Sequence, residues 1–179
     1  MLIKTIFSGF GGQGVISMGM TIANAAMLEG QYVTCLPSYG VEVRGGTCNC
    51  TVAVSDEEIA SPVASEPDFV VAMNQPSFVR FQSILPAGGL ICVNSSIVNT
   101  DGARSDIEVM PVPIIPLAEK VGNTKVANMI MVGVLVKLSN MISFDALIRN
   151  LPIILGEGKA KLTKQNQQAL EVGFSYIKE

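Results

Sequence analysis

Phe7-Ser8-Gly9-Phe10-Gly11-Gly12-Gln13-Gly14-Val15 limits what this chain can fold into more than any other stretch. Four of the six residues from Gly9 to Gly14 are glycine, and an apolar run from Leu2 to Phe7 precedes them. Behind them, Val15 to Glu29 has helical periodicity, with Val15, Met18, Ile22 and Ala26 on one apolar stripe and Ile16, Met20 and Met27 on a second. Strand, glycine turn and helix open a βαβ unit. Glycine lets the backbone turn tightly and lets a ligand approach the main chain. The helix start behind it presents free N–H groups and partial positive charge, which suit a phosphate or a carboxylate.

Gly9-x-Gly11-x-x-Gly14 fits the dinucleotide fingerprint, but that fingerprint also needs a carboxylate about 20 residues on, at the end of the second strand. Here the second strand, Tyr32 to Pro37, runs into Ser38-Tyr39, and Glu29 falls before it. A nicotinamide or flavin dinucleotide is therefore disfavoured. Two readings stay open: a phosphate-bearing ligand, or a turn that only lets helix and strand pack closely. The second strand leads to Tyr39-Gly40-Val41-Glu42-Val43-Arg44-Gly45-Gly46, at the carboxyl end of a strand, where open α/β sheets place their sites. Arg44 among glycines is a candidate anion clamp, or else a surface partner of Glu42.

The rest of the chain repeats the strand–helix–strand rhythm. Strands are expected at Thr47–Ser55, Asp68–Met73, Leu90–Asn94 and Ile107–Val112, with a helix at Pro76–Ile84. The last third reads as helical. A short helix covers Pro116–Val121, and Gly122-Asn123-Thr124 breaks it, with Thr124 as the expected N-cap. Lys125–Asn140 is a helix apolar nearly all round, which must be buried in a core or in an assembly. Ser143 caps Phe144–Asn150, and Leu162–Ile177 is a final amphipathic helix. The expected fold is one α/β domain over residues 1–179, a Rossmann-like three-layer α/β/α arrangement with a mostly parallel sheet.

The chain has 12 basic and 15 acidic residues and no histidine. A net charge of −3 without a basic run argues against nucleic acid. With no histidine there is no Ser-His-Asp or Cys-His arrangement and no ready general base. Cys35, Cys48, Cys50 and Cys92 lack metal-site spacing and read as small buried residues in a reducing compartment. No apolar run is long enough for a membrane span, and no leader precedes the first strand, so a cytoplasmic protein is expected. Only 15% of residues are charged against 49% hydrophobic, which points to an obligate subunit.

Three spaced motifs together carry a resemblance. Gly9-x-Gly11-Gly12-Gln13-Gly14, Tyr39-Gly40-x-Glu42-x-Arg44-Gly45-Gly46 and Gly122-Asn123-x-x-Val126-Ala127-Asn128-Met129 are similar to the gamma subunit of 2-oxoacid:ferredoxin oxidoreductases. The terminal segment Asn166-Gln167-Gln168-Ala169-Leu170-Glu171-x-Gly173 also fits. The resemblance implies that a 2-oxoacid, coenzyme A and oxidised ferredoxin give acyl-CoA, carbon dioxide and reduced ferredoxin. Thiamine diphosphate with magnesium and iron–sulfur clusters would belong to partner alpha, beta and delta chains, and ferredoxin would be met through the complex. This chain would be inactive alone and would face coenzyme A through Gly9, Gly11, Gly12, Gln13, Gly14, Tyr39, Glu42, Arg44, Gly45 and Gly46. Asn123 and Asn128 would touch the ligand or brace the loops. The 2-oxoglutarate type is slightly favoured over pyruvate and branched-chain types, and the iron–sulfur indolepyruvate enzymes share the region. The reading from another class is an independent Rossmann-like nucleotide-binding or regulatory module.

Overall fold

A computed structural model describes residues 1–40, 46–156 and 160–178. Glu42, Arg44 and Gly45 lie outside the described residues.

The chain alternates β1 (Leu2–Phe10), α1 (Val15–Leu28), β2 (Tyr32–Tyr39), β3 (Thr47–Ser55), β4 (Phe69–Ala72), α2 (Gln75–Phe81) and β5 (Leu90–Asn94). β6 (Glu108–Val112) follows, then α3 (Ile114–Val121), α4 (Ala127–Ser139), α5 (Phe144–Leu155) and α6 (Ala160–Tyr176). The six strands form one sheet in the order β2-β3-β1-β4-β5-β6. β1, β4, β5 and β6 pair in parallel, whereas β3 is antiparallel to both β1 and β2. Five strands therefore run one way and β3 alone is reversed. β1, α1 and β2 keep the sense of a βαβ crossover, but β3 occupies the slot between the two strands. β2 is left at the sheet edge, where Pro37, lacking an N–H, is tolerated.

Strand alternation divides the core into two layers. Phe7, Cys50, Val52, Val71 and Cys92 face α1 and the C-terminal helices. Ile6, Val70, Ala72, Ile91 and Val93 face Phe78 and Phe81 of α2. α4 lies within the first layer, and every residue from Met129 to Val136 is buried. Its unbroken apolar surface is thus satisfied inside the chain, against α1, α3, β5 and α6. Where α4 crosses α6 the backbones nearly touch. A Cβ on Gly173 would run into the Ile130 carbonyl, and one on Gly133 into the Leu170 carbonyl.

Helix boundaries differ from expectation in several places, and α3 starts at Ile114 rather than Pro116. Asn123, not Thr124, is the cap: its Oδ1 accepts from Lys125 N at 3.0 Å and starts a 3-10 turn, Thr124–Val126, ahead of α4. α5 continues past Asn150 through Pro152 to Leu155. The buried Leu151 keeps that turn against the core despite the backbone donor that proline lacks. Ser143 does cap α5, accepting from Ala146 N at 3.1 Å.

Candidate functional site at the carboxyl ends of the strands

The carboxyl ends of β1, β2, β4, β5 and β6 lie along one rim of the sheet, as their shared direction requires. The Gly9–Gly14 turn leaves β1 on this rim. Gly12 and Gly14 have φ of 100° and 74°, a region that side-chain-bearing residues rarely enter, so these two positions need glycine. Gly9 needs it for room, since a Cβ there would lie 2.7 Å from Gln13 Oε1 and 2.9 Å from Met73 Cβ.

Gln13 holds the turn together. Its Oε1 accepts from Phe10 N at 2.7 Å and from Asn74 Nδ2 at 3.3 Å, and its Nε2 donates to the Met73 carbonyl at 3.0 Å. The amide predicted to meet a ligand is engaged with the protein and ties the turn to the end of β4. Asn74 is itself buried, and its Oδ1 caps α2 by accepting from Ser77 N at 2.9 Å. Asn128 packs against Gly14 and donates from Nδ2 to its carbonyl at 3.5 Å, the long limit of such a bond. Asn123 points away from the turn, donating from Nδ2 to Gln165 Oε1 of α6 at 3.0 Å. The two motif asparagines thus divide the work: Asn128 braces the glycine turn and Asn123 fastens the start of α4 to α6.

The turn is a ridge between two clefts. One, of about 220 Å³, is lined by Gly12, Gln13 and Gly14 together with Asn94, Ile114, Lys125 and Asn128 among others. The other, of about 560 Å³, lies between Gly11, Gly12, Gly14, the first turn of α1, Tyr39 and Cys48. Tyr39 is therefore beside the glycine turn, as expected. Gly46 is brought there too, its carbonyl accepting from Gly11 N at 2.9 Å.

Electrostatics favour an anion in the smaller cleft. The N-terminal ends of α1, α3 and α4 all contribute to its lining, and none carries an acidic residue in its first turn. Gly14 also caps α1 without any side chain occupying the free N–H groups. Three helix N-termini without acidic side chains and the Lys125 ammonium make a positive concavity, although Ser96 Oγ already accepts from Ile115 N of α3 at 3.2 Å and Asn123 Oδ1 caps the turn ahead of α4. Lys125, Asn94 and the α3 start were not singled out by the sequence, because strands far apart in the chain bring them together. Asn74, one residue before Gln75-Pro76, had a readable N-cap signature. Among the described residues, no group of three or more His, Cys, Asp or Glu side chains is placed to hold a metal ion. No helix among them is long and apolar enough to cross a membrane.

Comparison with known proteins bears on this arrangement. The family model "Pyruvate ferredoxin/flavodoxin oxidoreductase" matches residues 4–176. The chain is 37% identical over 177 residues to ketoisovalerate oxidoreductase subunit VorA of Methanothermobacter thermautotrophicus, covering 99% of this chain but only 37% of that one. It is 38% identical over 146 residues to 2-oxoglutarate synthase subunit KorC of Methanothermobacter marburgensis, covering 78% of each. The solved keto/oxoacid ferredoxin oxidoreductase gamma subunit of Geobacter sulfurreducens superposes with a TM-score of 0.81 at 29% identity, over 97% of this chain and 96% of that one.

Proposed function

Because the chain belongs to the pyruvate ferredoxin/flavodoxin oxidoreductase family, as a gamma-subunit domain, we propose that it works as the gamma subunit of a multi-subunit 2-oxoacid:ferredoxin oxidoreductase. The proposed assembly converts a 2-oxoacid, coenzyme A and oxidised ferredoxin into acyl-CoA, carbon dioxide and reduced ferredoxin. Thiamine diphosphate and magnesium supply the decarboxylation chemistry, and iron–sulfur clusters supply the electron path, on alpha, beta and delta partners. The chain reaches ferredoxin only through that complex, in the cytoplasm. In this reading residues 1–179 are one domain.

The part proposed for this chain is to hold a phosphate of coenzyme A. One observation carries it: the three helix N-termini, unopposed by acidic side chains, that meet Lys125 beside the Gly9–Gly14 turn. Coenzyme A brings a pyrophosphate and a ribose phosphate, so it offers more than one anion to such a rim. Gly9, Gly11, Gly12 and Gly14 give the backbone approach, and Gln13 and Asn128 hold the turn in shape. Tyr39 and Gly46 lie beside the turn, and Glu42, Arg44 and Gly45 are assigned to the same ligand, with Arg44 as the clamp. Asn123 positions Lys125 through the cap it makes.

For the 2-oxoacid we favour 2-oxoglutarate. The KorC relative matches over the same share of both chains at 38% identity, whereas the ketoisovalerate relative carries the match within 37% of its length and a full-length pyruvate synthase subunit PorC matches at 26%. An anaerobic pull-down from the host, assayed for coenzyme A-dependent viologen reduction with a panel of 2-oxoacids, tests the assembly and names the substrate. A chain that elutes alone and inactive transfers the assignment to an independent nucleotide-binding module. In the active complex, Arg44→Ala and Lys125→Ala should each raise the apparent KM for coenzyme A by about tenfold, the loss of one charge-assisted phosphate contact. The KM for the 2-oxoacid should stay as it was. An intact complex with unaltered coenzyme A dependence would rule out the clamp.

A further inference from the structure

Four cysteines were expected to be small buried residues, and one of them, Cys35, is not fully buried. Cys35 is half-buried on the edge strand β2, while Cys50 is fully buried on β3. Their Sγ atoms are 3.4 Å apart. Cys35 Sγ is also 3.7 Å from Sδ of Met20, an α1 residue with 44% of its surface exposed. The Cys35 S–H can donate to that thioether, which leaves the Cys50 S–H free to donate to the Cys35 sulfur. Gly19 of α1 makes room for this cluster, since a Cβ there would lie 2.5 Å from Cys50 Sγ.

We propose that Cys35 and Cys50 form a peroxide-reactive dithiol site, in which Cys35 is the attacking thiol and Cys50 resolves it. The Cys35 thiolate attacks one oxygen of hydrogen peroxide, and the O–O bond breaks. Water departs and Cys35 is left as a sulfenic acid. The Cys50 sulfur then attacks the Cys35 sulfur, and its proton leaves with the hydroxyl as a second water. Two thiols and one hydrogen peroxide give one disulfide and two waters, the two electrons passing from the sulfurs to the peroxide.

The roles follow from position. Cys35 is the more exposed of the two thiols, half-buried on the edge strand beside the exposed Met20, as an attacking thiol should be. Burial pushes the Cys50 thiol up, and the neighbouring Cys35 and Cys48 push it further, so Cys50 does not ionise first. Cys92 is enclosed, with its thiol pushed up to about 12 by burial, and it takes no part. In the sheet register Cys35 faces Val52 and Cys50 faces Pro37, so the bridge is diagonal. Closing 3.4 Å to a bond of about 2.05 Å must draw the strands together. β2 has one neighbour only and can give way. The same strand ends at Tyr39 on the larger cleft.

The test is to treat the reduced full chain with one equivalent of hydrogen peroxide, block the remaining thiols and map the peptides by mass spectrometry. The expected result is loss of two hydrogens, two of the four thiols gone and a Cys35–Cys50 link that dithiothreitol reverses. Cys50→Ser should leave Cys35 trapped as a dimedone-reactive sulfenic acid, and Cys92→Ser should behave as the unaltered chain. A link between any other pair overturns the proposal, and so does peroxide consumption no faster than that of free cysteine with Cys35 unlinked. The peptide map of the unaltered chain decides the matter even if a variant fails to fold.

Discussion

In the Gly9–Gly14 turn glycine supplies backbone freedom, whereas at the crossing of α4 and α6 it supplies room. Gly12 has φ of 100° and nothing within 4 Å of an added Cβ. Gly133 and Gly173 lie within regular helices, yet a Cβ on either would strike the carbonyl of the facing helix. The first use leaves an exposed, unobstructed main chain, which is what a ligand requires. The second leaves none. Gly14 belongs to both groups, with φ of 74° and Asn128 packed directly against it. Counting glycines is therefore a poor guide to function, and the surroundings of each one decide its role.

The largest effect should come from the crossing. Gly173→Ala or Gly133→Ala forces α4 and α6 apart, and backbone atoms cannot rotate out of the way as a side chain could. A loss of about 3 kcal/mol is expected, the upper end for overpacking. Urea unfolding of the full chain measures it. A Gly173→Ala chain with an unaltered midpoint would remove the basis for separating the two kinds of glycine.

Legibility in the sequence followed the same division. The strand β1, its glycine turn and α1 could be read because every residue involved is a near neighbour. β3 and β5 were also read, since alternating and buried strands announce themselves locally. The insertion of β3 between β1 and β2 could not be read, because nothing local says which strands β3 will join. Gly133 went unnoticed inside an apolar helix, since its reason is Leu170, far along the chain. At the site, the glycines and Tyr39 were legible as a motif. Gln13 was picked from the motif as a ligand contact and Asn123 as a ligand contact or a loop brace, but their amides are engaged with Asn74, Met73 and Gln165, partners that only the fold supplies. Lys125 and the start of α3 join the rim by the same long-range route.

Gly14→Ala should come next in size, combining backbone strain of about 1–2 kcal/mol with the clash against Asn128. Shortening Asn128 separates the two contributions. Asn128→Ala alone gives up one long hydrogen bond and should cost about 0.5 kcal/mol. In the double variant the Asn128 amide no longer opposes the new methyl, although its Cβ, 3.1 Å away, still crowds it. The double variant should be more stable than the sum of the two single losses predicts, by about 1 kcal/mol in a double-mutant cycle. Strict additivity would mean that Gly14 is required for its backbone angle alone.

Gly12→Ala should be the mildest of the series for stability, about 1 kcal/mol, because only the backbone angle resists the new side chain. Its effect on function should be larger than its effect on folding. The added methyl would stand on the ridge that both clefts share, where the proposed phosphate approaches the main chain. The assembled enzyme should show a raised KM for coenzyme A, with kcat at saturation close to that of the unaltered complex. Gly173→Ala, where any folded complex can be recovered, should lower the amount of active enzyme and leave that KM alone. The opposite pattern, a normal KM in Gly12→Ala, would make the open glycine turn a device of chain geometry like the helix crossing, and coenzyme A would have to be held elsewhere.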